Sequence, residues 1–217
     1  MCKLQSNSKA RQLTLVIPSK LLTEQSLSNN DKLVLGVDLA LKDKLGYNSY
    51  KNDYLSKLFS LHVNSISKSR RALVQQEFLK KTGREYQLTE KSVKLLECSN
   101  QSVHLPYEVY NLKIIKSGEK LLWGLYNSVS RGFKDYFAKR ETTARQLAIS
   151  VETVTKYTKS LNHAGLLKLY KHNFGYCSSQ TVIVTCDIIN GEFITELNRA
   201  KDHQGNWERS VDFPILK

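Results

Sequence analysis

The sequence predicts an α+β fold of two equivalent domains in tandem, mainly helical and each closed by a small β-hairpin. Three observations predict it. First, the chain of 217 residues repeats itself: Ile17-Pro18 returns as Leu105-Pro106, 88 positions later, Asp31-Lys32-Leu33 as Glu119-Lys120-Leu121, and Gly36 as Gly124. Ile66, Lys68, Leu73 and Leu79 return at the same offset as Val154, Lys156, Leu161 and Leu167. A spacing kept over that distance implies two structurally equivalent units. Second, each copy carries two helical runs joined by a short turn, followed by short apolar strands. Third, hydrophobic residues make up 41% of the chain, enough for two small cores. The domains expected are a basic N-terminal arm at 1–16, domains at 17–97 and 105–187, a linker at 98–104 and a C-terminal tail at 188–217.

Charge narrows the partners. Lys and Arg number 33 against 20 Asp and Glu, a formal net charge of +13, with an isoelectric point near 9.5. A folded chain with that excess is expected to meet polyanions, nucleic acid before an anionic membrane surface. No apolar run approaches the roughly 18 residues of a transmembrane span. Residues 1–11 are polar and basic, without the apolar stretch of a secretory signal. Cys2, Cys98, Cys177 and Cys186 are scattered and form no CxxC pair, which suits reduced thiols and a cytoplasmic location.

The elements follow in order. Leu13 to Ile17 reads as a strand stopped by Pro18. Ser28-Asn29-Asn30-Asp31 supplies N-cap chemistry for a helix over 33–41, with Ser117-Gly118-Glu119 before 120–126 as its counterpart. Gly36 and Gly124 sit inside these helical runs, where glycine costs about 1 kcal/mol relative to alanine, so close approach of a neighbouring helix is expected there. In the first copy Lys51 to Phe59 forms one helix, Ser60-Leu61-His62 a turn, and Val63 to Gln76 a second helix with Asn64, Ser65, Ser67, Lys68 and Arg71 outward. A hairpin through Thr82-Gly83-Arg84 then carries Lys80, Lys81 and Arg84. The second copy places a helix over Thr142 to Ala148, a turn at Ile149-Ser150, and a second helix over Val151 to Leu161. Helical spacing turns Val151, Val154, Thr158 and Leu161 inward and Glu152, Thr153, Thr155, Lys156 and Lys159 outward. Gly165 follows the helix cap, and strands at 167–170 and 181–185 flank a hairpin tip, Lys171 to Ser179, that contains Gly175. The first copy departs from this plan in two ways: Arg70 stands where an apolar residue is usual, and one extra residue precedes its second helix.

The string from Thr153 to Leu167 resembles the recurring second-helix pattern of the winged helix-turn-helix superfamily, TV-x-[RK]…L…GLL. Counted over both copies, the resemblance covers roughly two-thirds of the chain. It implies tandem winged helix-turn-helix domains whose second helices meet base edges in the major groove while the wings contact phosphates. The implied contacts are Asn64, Ser65, Ser67, Lys68, Arg71, Lys80, Lys81 and Arg84, then Glu152, Thr153, Thr155, Lys156, Lys159 and Lys171. Paired winged helices in one basic chain are similar to plasmid and phage replication initiators, which grip repeated origin sequences, although no signature of a named initiator group is present. A transcriptional repressor uses the same chemistry, and some winged helices bind proteins instead. The partners expected are double-stranded DNA, a second copy of the chain, and replication or transcription proteins; no membrane and no cofactor is expected.

Other chemistry finds little support. Tyr47-Asn48-Ser49-Tyr50 with Tyr54, and Phe133-Lys134-Asp135-Tyr136-Phe137, invite base stacking, but matched aromatics in two small domains favour a core role. Lys3, Lys9 and Arg11 resemble a minor-groove arm or an ordinary mobile terminus. The spacing of His163, His172, Cys177 and Cys186 matches no common zinc finger. There is no GxxxxGK[ST] loop, no His-x-His pair and no convincing acidic set, so no enzyme is expected. Trp207, Phe213, Pro214, Ile215 and Leu216 make the tail too apolar for free solution, with packing on the second domain, a dimer contact or a docking peptide as the alternatives.

Overall fold

The apolar alternation ahead of Pro18 buries Leu15 and Ile17 on one side of strand β1 (Leu15–Pro18) and leaves Val16 on the other. In the computed structural model, which describes residues 14–97, 99, 101–130, 135–173, 179–184, 188–189 and 192–193, the chain divides into two units, Met1–Lys113 and Ile114–Lys217. In the first, β1 runs into α1 (Ser19–Leu22), α2 (Asn29–Leu41), β2 (Tyr47–Asn48), α3 (Asn52–Phe59), α4 (Val63–Gln75), β3 (Leu79–Thr82), β4 (Glu85–Leu88), α5 (Glu90–Glu97), β5 (Ser102–Leu105) and α6 (Tyr107–Tyr110). The second contains α7 (Ser117–Ser130), β6 (Tyr136–Ala138), α8 (Arg140–Leu147), α9 (Val151–His163), β7 (Leu167–Asn173) and β8 (Ser179–Val184), then the short pair β9 (Ile188–Ile189) and β10 (Glu192–Phe193). The protein is thus mixed α+β with small antiparallel sheets.

The 88-residue offset reappears in the elements. It carries α1 onto α6, α3 onto α8 and α4 onto α9, residue for residue at both ends. The two three-stranded sheets share one order, β2-β4-β3 and β6-β8-β7. Backbone specials obey it too: Ser60 and Ala148, each closing the first helix of its pair, have φ of 54° and 55°. Glu77 and Gly165, just past the second helix, have φ of 60° and 71°, so only one copy uses the glycine that this left-handed cap favours. The extra residue expected before the second helix of the first copy is absent, because three residues separate α3 from α4 and three separate α8 from α9.

Helix α2 is buried on nearly every side, from Asp31 to Leu39, taking the charged Asp31, Lys32 and Asp38 in with its apolar residues. A capping box starts it: Ser28 Oγ accepts from the Asp31 N–H, and Asp31 Oδ2 accepts from the Ser28 N–H at 2.9 Å. In α7 the carboxylate half persists, with Glu119 Oε2 accepting from the Lys116 N–H at 2.6 Å. A Cβ on Gly36 would lie 3.0 Å from Cγ1 and 3.2 Å from Cδ1 of Ile17. The neighbour that approaches closely there is therefore a strand side chain, not the expected helix.

The largest departure concerns residues 98–104. Ser102–Leu105 is a strand, paired antiparallel with β1 in the register Leu15↔Leu105, Val16↔His104, Ile17↔Val103. Since 16 and 104 are repeat mates, the two strands pair about a local two-fold centred on that rung. Tyr110 packs its ring 5.6 Å from that of Phe59. Residues read as linker and as the start of the second domain thus build the first unit, which ends at Lys113. Leu15 and Val16, read as part of the arm, belong to the same strand pair.

Each copy also buries a lysine at the same place. Lys32 Nζ donates to the Leu22 carbonyl at 2.6 Å, closing α1, and burial lowers its pKa. Lys120, its repeat mate, is pushed down by burial to about 8. Between that value and the unfolded lysine range, the unfolded chain holds the extra proton, so stability rises with pH from about 8 toward 10. Lys120→Met is expected to remove this rise. The check is the difference in urea midpoint between wild type and variant across that window, in which the tyrosines common to both cancel. A constant difference would contradict the account.

Cys2, Cys98, Cys177 and Cys186, the arm residues Lys3, Lys9 and Arg11, Gly175 and Phe133 lie outside the described residues, as does the tail apart from β9 and β10.

Candidate nucleic-acid interface

In the first unit the turn between α3 and α4 is fixed from three directions. Ser60 adopts the left-handed conformation and its N–H bonds the Ser56 carbonyl. His62 caps α4 by accepting the Asn64 N–H on Nδ1 at 3.2 Å. Asn111, from beyond α6, donates through Nδ2 to the carbonyls of Lys57 at 2.9 Å and Leu58 at 2.8 Å, while its own carbonyl accepts from Ser60 Oγ at 2.7 Å. These bonds satisfy carbonyls that the end of α3 would otherwise leave open. Asn111 was not legible as a site-positioning residue, since 51 positions separate it from Ser60.

Ile66 and Leu73 bury one side of α4, leaving Asn64, Lys68 and Arg71 exposed and Ser65 and Ser67 half-buried. Ser67 Oγ already accepts from Asn52 Nδ2 at 2.9 Å. No acidic residue interrupts the helix, so its open face is cationic. Beside it the hairpin exposes Lys80, Lys81 and Arg84. The strands register Thr82 against Glu85, and only the first turn residue, Gly83, has a positive φ, at 61°, the pattern of a tight type II′ hairpin. A groove of about 600 Å³ at its base is lined by Lys80, Lys81 and Lys91 with Glu77 and Glu90.

The second unit repeats the arrangement with different side chains. Ser150 caps α9, its Oγ accepting from the Thr153 N–H at 3.1 Å. Val154, Thr158 and Leu161 are buried; Glu152 and Lys156 are exposed, and Thr153, Thr155 and Lys159 are intermediate. Val151, expected to pack inward, is 36% exposed, because it occupies the first helical position at the turn. Thr155 spends its hydroxyl proton on the Val151 carbonyl at 3.1 Å, and Thr153 shares a hydroxyl bond of 2.9 Å with Ser150. The freest donors are therefore Lys156 and Lys159. Lys171 is exposed on β7, opposite Thr181. This hairpin is longer than the first, since 174–178, outside the described residues, connect the strands where two residues suffice in the first copy.

Arg70 explains itself in the structure. Its Nη2 donates to Asp38 Oδ1 at 2.7 Å, both side chains being 1% exposed, and its Nη1 donates to the Tyr50 carbonyl and Asn52 Oδ1, each at 2.9 Å. Asn48 Nδ2 donates to the same carboxylate oxygen at 2.6 Å, and the guanidinium lies 4.3 Å from the Tyr86 ring centroid. Burial raises the Asp38 carboxyl above its ordinary range, and the adjoining guanidinium offsets part of that. The repeat mates of Asp38, Asn48 and Arg70 are Tyr126, Tyr136 and Thr158. There the same space holds a neutral network: Tyr126 Oη and Thr158 Oγ1 are 2.8 Å apart, the Tyr126 and Tyr136 rings 4.9 Å apart, and Gln180 Nε2 donates to Thr143 Oγ1 at 3.2 Å.

The aromatic connectors divide. Tyr136 is core, as expected, but Phe137 is 69% and Tyr50 43% exposed. Alternation along β6 turns Phe137 away from the core that holds Tyr136, and Tyr50 stacks on Tyr54 at 4.8 Å instead of entering the core.

Among the described residues no cluster of His, Cys, Asp and Glu is placed to hold a metal ion, and no helix is long and apolar enough to cross a membrane. No family model and no curated protein matches this chain.

Proposed function

We propose that the chain is a tandem winged helix-turn-helix protein that binds double-stranded DNA sequence-specifically, as a replication initiator of a plasmid, phage or other mobile element. The observation that carries the reading is the duplication of one arrangement, a tightly turned helix pair with a hairpin beside it, with lysines on the open face of both second helices: Lys68 on α4 and Lys156 on α9. The net charge of +13 supports a polyanionic partner. On this reading α4 and α9 each lie in a major groove, with Lys68, Arg71, Lys156 and Lys159 offered to base edges. Lys80, Lys81, Arg84 and Lys171 on the hairpins neutralise phosphates and set the register.

Selection of bound duplexes from a random library, at physiological salt and with the full chain, tests the proposal. A motif with two half-sites about one helical turn apart, roughly 10 base pairs, supports it. Direct repeats favour the initiator role, whereas a palindrome favours a repressor. Weak binding with no enriched sequence would overturn sequence-specific reading and leave a protein-binding role for the fold.

A further inference from the structure

We propose that the Tyr50–Tyr54 stack of the first unit, through the exposed ring of Tyr50, is a stacking platform for unpaired nucleobases, distinct from the duplex-reading faces of α4 and the hairpin. The inference rests on the nucleic-acid reading above and adds a second kind of ligand to it. The two rings lie 4.8 Å apart with an interplanar angle of 27°. Tyr50 is 43% exposed, so the stack leaves aromatic surface open to solvent, where a flat base can continue it.

The backbone beneath the platform is anchored. The Tyr50 N–H donates to Asn48 Oδ1 at 2.9 Å, and the Tyr50 carbonyl accepts from Arg70 Nη1 at 2.9 Å. Its backbone is thereby tied to the buried Asp38–Arg70 network, and its ring rests on that of Tyr54. Such preorganisation lowers the entropy cost of taking a ligand. Tyr54, half-buried, anchors the stack, and Tyr50 carries its open face.

Its neighbours suit a nucleic-acid strand. Lys51 and Lys57 are exposed on the same helix segment, with one carboxylate, Asp53, also exposed among them. Asn52, two residues from Tyr50, bonds Ser67 on α4 at 2.9 Å, so the platform adjoins the face that carries Lys68 and Arg71. Duplex DNA has its bases stacked on one another and presents no free face to the tyrosines.

The test compares binding of the full chain to a labelled oligothymidylate and to a labelled duplex carrying the selected site, by fluorescence anisotropy. Tyr50→Ala and Tyr50→Leu are expected to lower single-strand affinity about tenfold, within the usual range for losing one base–aromatic stack, and Tyr50→Phe to retain it. Duplex affinity should stay within twofold for all three. Equal losses on both ligands, or retained single-strand affinity in Tyr50→Leu, would overturn the platform, as would a wild-type chain that binds duplex but no single strand. A wild-type chain that binds neither would overturn the nucleic-acid reading itself. Leucine keeps the apolar bulk at an exposed position, so its fold serves as the check if the alanine variant is unstable.

Discussion

Asp38→Ala is expected to destabilise the first unit by about 3–5 kcal/mol, the usual cost of removing one partner from a buried ion pair. The substitution strands the Arg70 guanidinium, 1% exposed, with only the Tyr50 carbonyl and Asn52 Oδ1 as polar partners within the network. That loss is a large share of the about 5–15 kcal/mol that holds a whole domain together. Tyr126→Phe, at the repeat mate of Asp38, removes a neutral hydroxyl bond of 2.8 Å to Thr158, worth about 1 kcal/mol. The two urea midpoints, read by circular dichroism, should therefore differ severalfold in their displacement. Replacing both charges together, Asp38→Leu with Arg70→Met, should recover most of the loss, since a buried pair exchanged for apolar groups is often neutral. An Asp38→Ala variant as stable as Tyr126→Phe would show that the pair carries no structural weight.

A fragment of residues 1–97, the arm and first domain as the repeat alone bounds them, is expected not to fold, whereas residues 1–113 should fold cooperatively. The shorter fragment lacks β5, the partner of β1 along Leu15 to Pro18. It also lacks Val103, Leu105, Val109 and Tyr110, all buried, each worth about 1.5–3 kcal/mol if fully withdrawn from water. The Asn111 bonds that close α3 go with them. Far-UV circular dichroism and urea melts of the two fragments decide the matter. A cooperative transition in residues 1–97 would mean that the first repeat is self-sufficient and the strand pair incidental.

The repeat was legible because glycine, proline and buried apolar residues recur at one offset, and both ends of α1, α3 and α4, with the starts of α2 and β3, follow it. The inward residues of α9 were legible from helical spacing for Val154, Thr158 and Leu161, but not for Val151 at the helix start, where a side chain faces the turn. The strand pair β1–β5 was not legible, because two four-residue strands far apart in sequence announce no partner. Arg70 looked out of place for a similar reason: Asp38 stands 32 positions away on another helix, and the second copy solves the same burial with Tyr126 and Thr158. The tyrosine connectors misled because alternation places Tyr136 inside and Phe137 outside within two residues.

The central claim, that α4 and α9 both read DNA, is tested most directly by measuring the affinity of Lys68→Ala, Lys156→Ala and the double variant for the selected duplex and for versions mutated in one half-site. Each single variant is predicted to lose about 1–3 kcal/mol of specific affinity, to become indifferent to changes in one half-site, and to do so independently of the other. Affinities that match wild type in all three variants would remove both helices from the interface and contradict the account.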